Sequence, residues 1–172
     1  SVDTLRPDAL GWVAGRNATP AFDALAREGF RFPAAVSPVP LTLPAHASLL
    51  SGLVPRRHGV RDNGQVLGRG PRLLAEILRE RGYQTAAFVS GYPLRAPFGL
   101  ARGFDRFDDA IPSRNEVWRE RPASDTTAAA LGWLRLRAPD RPFFLFVHYY
   151  DPHDPYEPPA RFKSPGARGA YD

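Results

Sequence analysis

The fold is decided by the stretch Pro40-Leu41-Thr42-Leu43-Pro44-Ala45-His46-Ala47-Ser48-Leu49-Leu50-Ser51-Gly52, which places a lone hydroxyl where a loop becomes a helix. Pro40 keeps the approach extended and Pro44 is tolerated in a first helical turn, so a helix starting near Thr42 is predicted. Free N–H groups at a helix N-terminus favour negative charge, and a phosphate or sulfate ester at Thr42 would meet them. Taken alone, the stretch more often indicates an ordinary capped helix.

The segments around this stretch alternate between helix and strand patterns. Helices are predicted over residues 20–28, between Thr19 and Gly29, over 71–81, and from Ser124 or Asp125 to about 136; strands are predicted over 30–36, 85–89 and 143–147. Residues 90–121 are rich in Gly, Pro and Arg and predict a long surface segment with little regular structure. The unbroken apolar run 143–147 is typical of a parallel strand covered on both faces, so an α/β fold is predicted.

Polar residues follow two of the apolar segments. Asp3 comes directly after Val2, and His148 and His153 follow the strand at 143–147. Ligands bind at the carboxyl ends of strands in open α/β sheets, which makes Asp3 a candidate metal ligand. Each residue also has a structural interpretation: an Asp can cap a turn, the Asn63-Gly64 pair can form a tight turn, and a His between prolines can order a loop. For His148 a structural role at the strand end is favoured over a ligand role.

Several motifs in order carry a resemblance to a known family. They are VDTLRPD (2–8), TPAFDALAREG (19–29), the Thr42 stretch, HGVRDNG (58–64) and YDPHDPYEPP (150–159). Together they resemble the N-terminal part of the sulfatase family, within the alkaline phosphatase superfamily, over essentially the whole chain. The resemblance implies a three-layer α/β/α fold with a mainly parallel sheet, a divalent metal (Ca, Mn, Zn or Mg) and a covalent nucleophile.

The resemblance also implies roles for individual residues. Asp3 matches a metal-ligating aspartate, and Thr42 stands at the position of the nucleophile, which also meets the metal. Asn63 is similar to the asparagine that some phosphoester-cleaving members use beside the nucleophile. His153 matches a histidine that contacts the ester being cleaved. His46 stands where the formylglycine motif has arginine, so orienting Thr42 or the substrate and a purely structural role both stay open.

The chain departs from the family at the nucleophile. Sulfatases carry Cys or Ser there and oxidise it to formylglycine, whereas Thr42 is a secondary alcohol that cannot become that aldehyde, and the chain has no cysteine. A threonine ester has to be cleaved by a second attack, which phosphorus accepts more readily than sulfur. We therefore expect phosphoester or phosphonoester hydrolysis, or phosphoryl transfer, on a small-molecule, glycan or lipid ester. A true sulfuric ester hydrolase and a non-catalytic binding domain are the alternatives.

Length and composition bound the remaining expectations. The chain of 172 residues has no methionine, and no Asp-His-Gly segment, where the superfamily keeps further metal ligands, follows the matched motifs. Residues 1–172 are therefore predicted to be the N-terminal portion of one catalytic domain, incomplete at both ends. This portion is expected to be inactive in isolation, because one carboxylate and one threonine hold a divalent ion poorly. Localisation and oligomeric state stay open, although the resemblance to sulfatases slightly favours a periplasmic or other extracytoplasmic location.

The positive charge of the chain does not indicate a nucleic-acid-binding protein. The net charge is +5, and Lys163 is the single lysine among 23 basic residues. The arginines are dispersed and interleaved with acidic residues, so no basic stripe indicates nucleic-acid binding. No apolar run reaches transmembrane length.

Overall fold

The computed structural model of this chain describes residues 1–15, 19–111, 120–154 and 160–162. Its helices are α1 (Gly11–Ala14), α2 (Pro20–Glu28), α3 (Thr42–Ser51), α4 (Pro55–His58), α5 (Leu74–Glu80) and α6 (Ala123–Leu136). Its strands are β1 (Gln84–Val89), β2 (Arg106–Asp108) and β3 (Phe143–His148), and short 3-10 turns lie at Pro7–Ala9, Tyr92–Leu94, Ala96–Phe98 and Ala160–Phe162.

The three strands form a parallel sheet in the order β2-β1-β3. In the register of this sheet, Ala86 of the central strand lies between Arg106 of β2 and Leu145 of β3. The N-terminus continues the sheet beyond the end of β3, because Val2 forms an isolated parallel bridge with Tyr149. All these segments run in the same direction, so Asp3 emerges at the carboxyl edge of the sheet.

Helices cover both faces of the sheet. On one face, Ala87 and Val89 of β1 join a buried cluster with Leu43 and Ala47 of α3. On the other face, neighbouring β1 residues such as Phe88 pack against α6, as the alternation of side chains along a strand requires. The prediction of a three-layer α/β/α fold with a parallel sheet is therefore confirmed.

Local signals account for the helix ends. Helix α2 has the predicted bounds, but the Thr19 hydroxyl accepts the backbone N–H of Gly11 and makes no capping bond to α2. Helix α3 ends at Gly52, whose φ of 69° is the left-handed conformation that glycine adopts readily. Helix α5 starts later than predicted because the Glu76 carboxylate accepts the backbone N–H of Leu73 and so defines the first turn.

Two predictions about regular structure are wrong. Residues 30–36 form no strand, because Pro33 lies in a turn and lacks a backbone donor, and Phe30 and Phe32 are exposed rather than packed on a sheet. The segment 90–121 is more ordered than predicted where it is described. It supplies β2, and its residues Leu94 and Leu100 are buried in the core; residues 112–119 lie outside the described residues.

Candidate functional site

A carboxylate and a hydroxyl meet at the carboxyl edge of the sheet. The Thr42 hydroxyl donates a hydrogen bond of 2.9 Å to Oδ2 of Asp3, and the two residues are 39 positions apart in the sequence. The backbone N–H of Asp3 donates to the Tyr149 carbonyl at 2.8 Å, so pairing with the end of β3 fixes the backbone of Asp3. The structure thus brings together two residues that the sequence analysis assigned to one site.

The Asp3 carboxylate is ionised at neutral pH. Burial alone raises the pKa of Asp3, but contacts with His148 and Thr42 outweigh that effect and hold the pKa below its usual value. Oδ1 of Asp3 has no hydrogen-bond partner within the part of the chain that the structure describes. One carboxylate oxygen is therefore engaged and the other is left for a ligand.

The start of helix α3 offers fewer donors than the sequence predicts. The backbone N–H of Leu43 is taken at 2.9 Å by Oδ1 of Asn63, Pro44 has no N–H, and Ala45 donates to the Leu41 carbonyl. The amide of Thr42 has no partner among the described residues. An anion at this helix end would therefore meet the Thr42 amide and the Nδ2 of Asn63, which also lacks a described partner.

His46 is a buried neutral histidine that packs beneath the site. Its Nδ1 lies 2.6 Å from the Thr42 carbonyl, which can only accept, so Nδ1 carries the proton and Nε2 accepts the Ser1 hydroxyl at 2.8 Å. Burial, followed by the neighbouring His148, lowers the pKa of His46 to about 4. His46 thus holds the backbone of Thr42 and makes no bond to its hydroxyl.

His153 connects to the site through another ring. Its imidazole stacks on Tyr150, with centroids 4.4 Å apart and planes 16° from parallel, and its Nδ1 donates to the Asp154 carbonyl at 3.0 Å. Burial, followed by the negative charge of Asp3, raises the pKa of Tyr150 to about 12. Within the described residues no hydrogen bond joins His153 to Asp3 or Thr42, so the structure places it beside the site rather than in contact with those two groups.

Three residues at this edge escaped the sequence analysis as members of the site. The Nε2 of His148 lies 3.5 Å from Oδ2 of Asp3. Tyr150 carries the stack with His153, and Gly91 packs so closely that a Cβ there would lie 2.7 Å from the Tyr150 ring. His148 and Tyr150 come at the end of an apolar strand in the sequence, and that position is a signal that could have identified them.

The oxygen atoms of Asp3 and Thr42 provide part of the ligand set that a divalent cation needs. The free Oδ1 of Asp3 and the adjacent Thr42 oxygen are hard oxygen donors of the kind that Mg²⁺, Ca²⁺ and Mn²⁺ prefer. No group of three or more His, Cys, Asp or Glu side chains suited to a metal occurs in residues 1–15, 19–111, 120–154 and 160–162. The described residues therefore contribute ligands to a site but do not complete one.

Of the helices in the described ranges, none combines the length and the apolar character needed to cross a bilayer.

Comparison with known proteins identifies relatives in sequence and in fold. The N-acetylglucosamine-6-O-sulfatase of Bacteroides thetaiotaomicron is 25% identical over 158 residues, with 83% of this chain and 28% of that protein covered. A solved structure of a protein in complex with its substrate D-glucosamine-2-N,6-O-disulfate has a TM-score of 0.77 at 25% identity, covering 93% of this chain and 35% of that one. The phosphonate monoester hydrolase of Agrobacterium radiobacter shares the fold, with a TM-score of 0.70 at 24% identity over 93% of this chain and 41% of that one.

This chain thus spans less than half the length of these relatives. A family model described as Sulfatase matches residues 2–171, which is nearly every residue. On that match, and on the fold that the solved structures share with it, the chain belongs to the sulfatase family.

Proposed function

We propose that the protein to which this chain belongs is a metal-dependent ester hydrolase or transferase that uses Thr42 as a covalent nucleophile and acts on phosphorus esters. The observation that carries the proposal is the 2.9 Å hydrogen bond from the Thr42 hydroxyl to the ionised Asp3 carboxylate, at the ligand-binding edge of the sheet.

Asp3 and the start of α3 prepare the nucleophile. Because Asp3 has a lowered pKa, it is a weak base, and its main role is to fix the direction of the Thr42 hydroxyl. The free oxygen of Asp3 and the Thr42 oxygen would hold a divalent cation, which would supply Lewis-acid activation of that hydroxyl. The Thr42 amide and Nδ2 of Asn63 then face the charge that develops on the phosphoryl oxygens.

The first chemical step forms a threonine ester. Oγ1 of Thr42 attacks phosphorus, the bond from phosphorus to the leaving oxygen breaks, and the hydroxyl proton leaves through Oδ2 of Asp3 to solvent. The leaving oxygen takes a proton from His153, which the stack on Tyr150 holds at the edge of the site. In the second step water, or an acceptor alcohol in a transferase, attacks phosphorus and Oγ1 of Thr42 is released with a proton.

The residue at position 42 is the reason for proposing phosphorus rather than sulfur. Threonine cannot form the aldehyde through which formylglycine sheds sulfate, so both halves of the reaction must be substitutions at the same atom. A sulfuric ester hydrolase that works despite Thr42 is the second candidate, and the similarity to an N-acetylglucosamine-6-O-sulfatase favours it. That relative also makes a sugar-linked ester the first organic group to test.

Residues 1–172 are part of the proposed catalytic domain rather than all of it. The support is the incomplete ligand set, since Asp3 and Thr42 provide two oxygens while catalytic metal sites normally have three or more protein ligands. We therefore propose that further ligands come from residues beyond those described. A sulfatase-like domain without catalysis would lack those ligands in the complete protein.

The test compares variants of the complete gene product. Aryl phosphate, phosphate diester, phosphonate and sulfate esters are assayed with Mg²⁺, Mn²⁺, Zn²⁺ or Ca²⁺ for the native protein, Thr42→Ala and Thr42→Ser. The matched control is Ser51→Ala, which removes a hydroxyl from the other end of α3, where it bonds the Ala47 carbonyl.

We expect Thr42→Ala to abolish turnover of a phosphorus ester, Thr42→Ser to retain much of it, and Ser51→Ala to leave it unchanged. Mass spectrometry of quenched reactions should find a phosphoryl group on the peptide that contains Thr42. Turnover that survives Thr42→Ala overturns the threonine mechanism, and cleavage of the sulfate ester alone favours the second candidate.

A further inference from the structure

His148, the last residue of β3, is a buried polar side chain without a hydrogen bond. Its exposed fraction is 0%, and neither Nδ1 nor Nε2 has a hydrogen-bond partner in the described part of the chain. Leaving a buried polar group unpaired is energetically costly, so its presence calls for a reason in the chemistry around it.

The ring of His148 is held in place by its neighbours. It makes an edge contact with the His46 ring at 5.0 Å and lies 6.3 Å from the Tyr150 ring. A Cβ at Gly91 would lie 3.2 Å from Cε1 of His148, so the ring occupies the space that a side chain there would need. These contacts leave Nε2 directed at Asp3.

The distance from Nε2 of His148 to Oδ2 of Asp3 is 3.5 Å, somewhat longer than the about 3.2 Å upper range of an N–H···O bond. Oδ2 also accepts the Thr42 hydroxyl, whereas Oδ1 has no partner among the described residues. Nε2 of His148 and the Thr42 hydroxyl thus both face Oδ2 of Asp3, and Oδ1 stays open to the site. Hydrogen bonds of this kind are often long before a site is filled and shorten when it is.

We propose that His148 is a positioning residue whose Nε2–H holds Oδ2 of Asp3, so that Oδ1 is presented to the divalent cation. The inference rests on the proposed function, in which Asp3 is a metal ligand. Carboxylate ligands are normally oriented by such outer partners, whose loss costs about 10–100-fold in metal affinity. The role differs from direct coordination, which would need a lone pair rather than a proton on Nε2.

The test measures the affinity of the complete gene product for Mn²⁺ by isothermal titration calorimetry. The variants are His148→Phe, which keeps a ring but removes the donor, and His148→Gln, whose amide N–H can reach Oδ2. The matched control is His58→Phe, which removes a buried histidine that bonds Ser48 and Val60 away from Asp3. Asp3→Asn tests the underlying metal site.

We expect His148→Phe to weaken Mn²⁺ binding by about 10–100-fold, whereas His148→Gln and His58→Phe stay within a few-fold of the native protein. Unchanged affinity in a folded His148→Phe variant overturns the positioning role, as does equal weakening by His148→Gln, which indicates direct coordination. If His148→Phe does not fold, His148→Asn replaces it: its shorter amide cannot reach Oδ2, so equal affinities of the Gln and Asn variants contradict the proposal. Unchanged affinity in Asp3→Asn instead overturns the proposed function.

Discussion

Asn63 caps helix α3, because its side-chain oxygen accepts the backbone N–H of Leu43 at 2.9 Å. The same side chain was predicted to bind substrate, and the bond to Leu43 engages only its oxygen. Stability and substrate binding can therefore be separated at this residue, since the amide oxygen supports the helix and the amide nitrogen is left to face an anion.

Substitutions of Asn63 should separate these two roles. Asn63→Ala removes the cap and should lower the free energy of unfolding by about 1 kcal/mol, together with activity. Asn63→Asp retains an acceptor for Leu43 and adds a negative charge at a helix N-terminus, so its unfolding free energy should match the native value. Its kcat/KM should nevertheless fall at least as far as in Asn63→Ala, because a carboxylate repels an anionic ester. Full activity in Asn63→Asp would mean that Nδ2 does not meet substrate.

The stack between Tyr150 and His153 should matter for turnover. Tyr150→Leu removes the aromatic face on which His153 lies and should lower kcat by about tenfold, since an aromatic pair contributes about 0.5–1.5 kcal/mol. Tyr150→Phe keeps the face and should stay close to native kcat. Steady-state kinetics on an ester with a poor leaving group is the measurement, and equal values for the two variants would contradict a role for the stack.

His46 should make stability depend on pH. Its folded pKa of about 4 lies below the unfolded value of 6.5, so the unfolded chain binds the proton more readily between these limits. Stability is complete above pH 6.5 and falls as the pH drops towards 4, by about 3 kcal/mol in total. Asp3 acts in a different window, because a carboxyl with a lowered pKa loses its contribution only below 3.8.

Urea unfolding of the metal-free protein at pH 7 and pH 4.5 measures this effect. We expect His46→Gln to be less stable than the native protein at pH 7 and to lose less stability on acidification. An identical pH slope in the two proteins would show that His46 is not the group responsible.

Gly91 should not tolerate a side chain. A Cβ there would lie 2.7 Å from Cδ2 of Tyr150, so Gly91→Ala must displace that ring, and overpacking of this kind costs about 1–3 kcal/mol. Gly132 in α6 is the matched control, because nothing lies within 4 Å of a Cβ there and alanine should stabilise the helix by up to about 1 kcal/mol. Thermal unfolding of both variants checks the pair; a Gly91→Ala protein as stable as Gly132→Ala contradicts the packing.

The elements with strong local signals were predictable. Helix α2 lies between Thr19 and Gly29 as expected, and the apolar run of β3 identified a parallel strand. The expectation that this strand is covered on both faces is met only in part, because Phe143 is exposed and only Phe146 and His148 of the strand are buried. Strand β2 was missed because it is three residues long and carries Arg106 and Asp108. Its place beside β1 depends on a distant contact, in which Thr85 and Asp105 exchange hydrogen bonds.

The alternation of apolar residues at 30–36 predicted a strand that does not form. Alternating apolar residues indicate what a strand could bury but not whether a neighbouring strand exists, and Pro33 interrupts the segment with a turn. Within the site, Asp3 and Thr42 were predictable from the family motifs. The orientation of His148 was not, since it depends on the His46 ring and on the space at Gly91, which lie in separate segments that only the fold brings together.

The parallel bridge between Val2 and Tyr149 also has a consequence for synthesis of the protein. The backbone nitrogen of Ser1 bonds the Val147 carbonyl, which lies 146 positions away in the sequence. Contacts so distant in sequence form late, because the entropy of closing the loop is lost before the contact stabilises anything. A nascent chain that has emerged only as far as α6 has no strand beside which Val2 can pair. Asp3 and Thr42 therefore come together only after β3 has left the ribosome.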